Sequence, residues 1–193
     1  VSYGLVLMCL VLLINLKSIP AVSLIITIIS LSLFGMLGFM GWIYKFTQSD
    51  IFYFTLNHTS MPIVLLTIAN SDGVHVVGRF FKELRNIKNT NIAIHKTMEH
   101  LTMPISLTSI TTALAFLTLI FSPLNGMNGY GIVLAFGICW AWILSLTLLP
   151  ALISLIKWDP NSKAISKIGI VEKLINKFGE LVTKNPKKII YPS

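Results

Sequence analysis

Apolar residues in this chain run in long blocks parted by short polar stretches, and the blocks are long enough to predict membrane-crossing helices. About 20 apolar residues in helical form span a hydrocarbon core of about 30 Å. Five such blocks are predicted: Val1 to Leu16, Ala21 to Trp42, Met61 to Phe81, Pro104 to Phe121 and Tyr130 to Ile156. The first break, Lys17-Ser-Ile-Pro20, is short. Ile43 to Ser60, with Asp50 and Tyr53, reads as an interfacial connector, and Lys82 to Met103 as a charged, helix-prone one. Ser122 to Gly129 has no charge and strong turn chemistry. Gly35, Gly38 and Gly41 read as positions where helix backbones approach closely. Pro104 suits a first helical turn, where the amide it lacks has no partner, and Pro150 kinks or ends the fifth span.

Beyond Trp158 the pattern changes. Ile168, Val171, Leu174, Ile175, Phe178, Leu181 and Val182 recur at helical spacing, with Lys173, Lys177, Glu180 and Lys184 opposite. This predicts an amphipathic helix lying on a membrane face. Asn185 to Pro192 reads as the approach to a further span, and no initiator Met or charged flank precedes the first, so a fragment of a longer protein is expected. The expected organisation is therefore all-α: a five-span transmembrane helix bundle over residues 1–156, then a cytoplasmic amphipathic segment over 157–193.

Composition agrees with a membrane class. Of 193 residues, 54% are hydrophobic and 11% charged, with a mean hydropathy of +0.80; soluble domains average about 25% charged. Cys9 and Cys139 both lie inside apolar runs and suggest neither a disulfide nor a metal site. The formal charge of +8 is unevenly placed. Alternate connectors hold Lys17, then Arg79, Lys82, Arg85, Lys88 and Lys96, then eight lysines from Lys157 onward, while the others hold only Lys45. The positive-inside rule makes the rich side cytoplasmic, with the C-terminus inside, and accounts for the charge without nucleic acid. Membrane lipids are the expected partners; a homo-oligomer is compatible with the pattern.

One residue stands out against this background. Asp72 lies about eleven residues into the third span, roughly 16 Å along a helix and so near the bilayer centre. An ionised carboxylate there is costly without partners or water, which makes it a functional candidate. His75 shares its helical face and could exchange a proton with it; Asn70 and Ser71 add polar groups. In the fourth span Ser106, Thr108, Ser109, Thr111 and Thr112 form a polar stripe, with Thr108, Thr111 and Thr112 read as one face able to donate to a carboxylate. His95 and His100 belong to a connector and cannot easily join Asp72 and His75 on one ion, so no metal site and no cofactor are expected. Asn57-His58-Thr59 matches a glycosylation acceptor, a common tripeptide. No nucleophilic triad, phosphate loop or paired-carboxylate site is visible, so no enzyme is expected.

Three segments in order resemble the RND superfamily of transporters, in particular its MMPL-like branch, related to Patched and Niemann-Pick proteins. Ala69-Asn-Ser-Asp-Gly-Val-His75 with Arg79-Phe-Phe-Lys-Glu-Leu-Arg85 is similar to the family's fourth-helix motif. Leu107-Thr-Ser-Ile-Thr-Thr-Ala-Leu-Ala-Phe-Leu117 is similar to its fifth-helix pattern, and Leu148-Leu-Pro-Ala-Leu152 to the close of its sixth. The resemblance implies that the five spans are helices two to six of one half of a twelve-helix pump, the unit called a sterol-sensing domain in eukaryotic relatives. It implies that Asp72 is a proton relay, that Thr111 and Thr112 line it, and that a second half of the same polypeptide completes it. Gly73 departs from the Tyr or Asp usual after the acid, so a second relay group has to come from His75 or elsewhere. The implied function is proton-motive-force-driven export of lipids or other hydrophobic compounds across a bacterial inner membrane. The alternative is a non-pumping sterol- or lipid-sensing module that regulates a partner.

Overall fold

The computed structural model describes residues 2–49, 52, 56–124, 126–160, 162 and 165. Six α-helices follow in order: α1 (Ser2–Leu16), α2 (Ile19–Thr47), α3 (Met61–Ile87), α4 (Thr90–Leu117), α5 (Met127–Leu146) and α6 (Leu148–Leu155). A 3-10 turn, Leu56–Ser60, leads into α3 and another, Thr118–Phe121, extends α4. Among the described residues there is no strand, and the fold is an all-α bundle.

Four segments are long and apolar enough to cross a membrane: Ile19–Thr47, His58–Ile87, Thr90–Phe121 and Met127–Leu155. They correspond to four of the five expected spans. The first expected span, Val1 to Leu16, is helical over its described residues as α1, 15 residues long.

Local chemistry sets the boundaries. Ser18, in extended conformation, precedes α2, with Pro20 in the first turn where its missing amide costs nothing. The α3–α4 connection shrinks to two residues. Lys88 takes a left-handed conformation (φ 58°) and its amide donates to the Leu84 carbonyl 2.9 Å away. Asn89 then caps α4, its side-chain oxygen accepting from the amides of Asn91 (3.1 Å) and Ile92 (3.3 Å). The charged stretch expected as a connector over Lys82 to Met103 is therefore the end of one helix and the start of the next.

Pro104 lies inside α4, not at its first turn as expected. It removes the amide that would bond the His100 carbonyl. The helix continues because a broken backbone is more costly in hydrocarbon than one lost bond, and nearby hydroxyls supply local bonds. Thr102 Oγ1 donates to the Met98 carbonyl (2.6 Å) and Thr108 Oγ1 to those of Pro104 (3.1 Å) and Ile105 (3.0 Å). At the other proline the helix does break: α5 ends before Thr147 and α6 begins at Leu148, two residues ahead of Pro150.

In the packing, α3 lies between α2, α4 and α5 and also touches α1. Close approach depends on particular glycines. A Cβ on Gly131 of α5 would collide with the Phe116 carbonyl of α4, and one on Gly35 of α2 with the Trp140 indole of α5. Gly38 and Gly41, expected to serve the same purpose, face open space. The helix period explains this: they lie three and six residues beyond Gly35, about 60° and 120° short of its direction, and so drift off the contact.

After α6 the chain turns back onto α3. The Trp158 indole nitrogen donates to the Ile153 carbonyl (2.9 Å), and its ring lies 5.5 Å from both Phe80 and Phe81. Arg85 Nε donates to the Ile165 carbonyl at 2.8 Å. The amphipathic helix expected from Ile168 onward lies outside the described residues.

Candidate functional site

Asp72 sits in the middle of α3 on the side that meets α4, with 8% of its surface exposed. Facing it, Ser109 of α4 is 3% exposed, and its hydroxyl donates to Asp72 Oδ2 across 3.4 Å. This bond is long, so the carboxyl is only lightly held. No cation is paired with it among the described residues.

The two helices diverge around this contact to leave a cleft of about 430 Å³. Its polar lining is Thr67, Ser71, Asp72 and His75 from α3 with Thr108, Ser109 and Thr112 from α4; Ile68, Leu101, Pro104 and Ile105 complete the wall. His75 is exposed, one helical turn beyond Asp72. A cleft with hydroxyls, an imidazole and one carboxyl has the volume and the partners to hold several waters.

Of the residues expected around Asp72, the structure brings His75, Ser71, Thr108 and Thr112 to the cleft and leaves out Asn70 and Thr111. Asn70 is two residues before Asp72 and so about 200° round the helix. Its side-chain oxygen is buried without a hydrogen bond among the described residues. Thr111 is likewise two residues past Ser109; it is exposed, and its hydroxyl donates to the Leu107 and Thr108 carbonyls (2.8 and 3.0 Å). Ser109, the direct partner, belongs to the polar stripe, but the stripe alone does not single it out as the residue facing Asp72. The signal for it is the spacing of Ile105, Ser109 and Ala113, four apart and all buried, which marks the inward face of α4. Ser106 acts elsewhere, accepting from the Trp142 indole at 3.1 Å and so tying α4 to α5.

A bundle that crosses a membrane several times and buries one acid beside a mid-span cleft defines a polytopic membrane protein with an intramembrane carboxyl. The chain belongs to the MMPL family, whose profile matches residues 1–189, a family of RND-type transporters. It is similar to MJ1562 of Methanocaldococcus jannaschii, described only as a membrane protein, with 33% identity over 90 residues, 47% of this chain and 23% of that one. It is also similar to ActII-3 of Streptomyces coelicolor, described in the same way, with 24% identity over 133 residues, 67% of this chain and 19% of the other. The matched part spans about a fifth to a quarter of those relatives' length.

Proposed function

We propose that this chain is part of the membrane domain of a proton-motive-force-driven exporter of lipids or other hydrophobic compounds, with Asp72 as its proton relay. The observation that supports this most is the placement of Asp72: buried at mid-span, weakly held by Ser109, and opening on a cleft that also contains His75. An acid so placed gains or loses a charge at a point where the bilayer makes charge costly, and that difference can bias one helix arrangement over another. His75 is the proton partner, and Ser71, Thr108 and Thr112 line the path with Ser109.

The lysine- and arginine-rich ends are cytoplasmic in this reading, the C-terminus is inside, and the membrane is a bacterial inner membrane. Cargo handling belongs to the full-length protein. The test is efflux of the hydrophobic dye Nile red from cells making that protein, with and without a protonophore. Wild-type efflux stops when the gradient collapses, and Asp72→Asn, at equal expression, matches empty cells. Equal efflux by wild type and Asp72→Asn would contradict the proposal; a lipid-sensing module would show no efflux from either and unaltered lipid binding in the variant.

A further inference from the structure

Two acids are buried among the described residues, Asp72 and Glu83, each 8% exposed and both on α3. Eleven residues separate them, which is three turns and about 20°, so they share a face and lie roughly 16 Å apart along the axis. His75 and Arg79 occupy the same face between them. Arg79 Nη2 lies 2.8 Å from Glu83 Oε1, and the Arg79 Nε is buried with no hydrogen-bond partner among the described residues. Along the axis from the cleft toward this pair, Val76 and Phe80 pack against Ile94, Thr97 and Met98 of α4 and Ile153 of α6, a seam too tight to admit a water.

Helix stability does not call for an acid at position 83. It falls close to the C-terminal end of α3, where the macrodipole disfavours negative charge. An acid four residues after its cation is also the weaker order for such a pair, and burial adds a desolvation cost that an exposed pair avoids. The other titratable groups at this end among the described residues are Lys17 after α1, Lys82 on α3, Lys88 after it, His95, Lys96, Glu99 and His100 on α4, and Lys157 and Asp159 after α6, all exposed, with half-buried Arg85. Solvent screens the exposed ones, so Arg79 dominates the field at Glu83.

We propose that Glu83 is the inner proton acceptor for Asp72, paired with Arg79 while the seam at Val76 and Phe80 is closed; the proposal rests on the relay reading above. When the seam opens and admits water, the Asp72 carboxyl gives its proton to one nitrogen of His75. The other ring nitrogen releases a proton through water to the Glu83 carboxylate. Asp72 is left charged and Glu83 neutral, and Arg79 loses its partner. Glu83 then yields the proton to solvent at the lysine- and arginine-rich end, and the ion pair re-forms.

The test uses N,N′-dicyclohexylcarbodiimide, which couples to protonated carboxyls in apolar surroundings, on the full-length protein in sealed vesicles. Adducts at each acid are quantified by mass spectrometry while pH is varied on the basic side alone. Adducts are expected at both Asp72 and Glu83, with that at Glu83 falling about tenfold per pH unit once the solution passes its midpoint. Arg79→Gln raises the Glu83 adduct several-fold, and Glu83→Asp keeps an adduct with the same dependence. Labelling of Asp72 with none at Glu83 at any pH would overturn this proposal and leave the relay standing. Labelling of Glu83 with none at Asp72 would overturn the relay reading, and this one with it.

Discussion

Ser109 on α4 donates to Asp72 on α3 across 3.4 Å, and this is the hydrogen bond that joins the two walls of the cleft. Hydrogen bonds between membrane helices are worth about 0.6 kcal/mol on average. Ser109→Ala should therefore lower stability in detergent by about that amount, read from thermal unfolding. Its larger effect should be on proton-dependent export, because Asp72 loses the hydrogen bond that orients it in the cleft. Unchanged export in this variant would show that the bond is incidental.

The glycines separate contact from free surface. Gly131→Ala places a methyl against the Phe116 carbonyl and should cost about 1–3 kcal/mol, as overpacking does. Gly38→Ala meets nothing and should be neutral or gain up to about 1 kcal/mol from helix propensity. Thermal unfolding of the two variants side by side decides it, and equal loss in both would contradict the packing described.

Much of this arrangement is legible in the sequence, for reasons that also explain the misses. Apolar run length locates four of the crossing helices, and the acid within a run singles out Asp72, because both signals survive without knowledge of neighbours. What fails depends on angle. Nearness in sequence groups Asn70 with Asp72, and a shared face with Thr108 and Thr112 brings in Thr111, yet Asn70 is about 200° from Asp72 and Thr111 about 200° from Ser109. Gly38 and Gly41 fail in the same way. Pro104 misleads because a proline within a helix is disfavoured in water, whereas hydrocarbon forces the backbone to stay helical around it.

Trp158 packs on the C-terminal part of α3 by resting on Phe80 and Phe81. Each ring contact is worth about 0.5–1.5 kcal/mol. Trp158→Ala should free the chain after α6, and limited trypsin digestion at Lys157 should speed up while the bundle stays intact. Unaltered cleavage would show that the rings contribute nothing to holding this segment.

Sidedness is open to direct labelling. Gln48 at the end of α2 and Lys88 after α3 are both exposed and lie at opposite ends of the bundle. With Cys9 and Cys139 replaced by Ala, Gln48→Cys should react with an impermeant maleimide in intact cells. Lys88→Cys should react only in inside-out vesicles, as the basic residues around it require. The reverse pattern would invert the topology.

The relay itself is measured by proton movement. Vesicles containing the full-length protein and a trapped pH-sensitive dye are given an outward-directed cargo, Nile red, and an opposing proton gradient. Wild type should admit protons only when Nile red is present, and Asp72→Asn should reduce that flux at least about tenfold, a barrier change of about 1.4 kcal/mol or more. Nile red-dependent proton flux in Asp72→Asn equal to that of wild type would contradict the assignment of Asp72 as the proton relay.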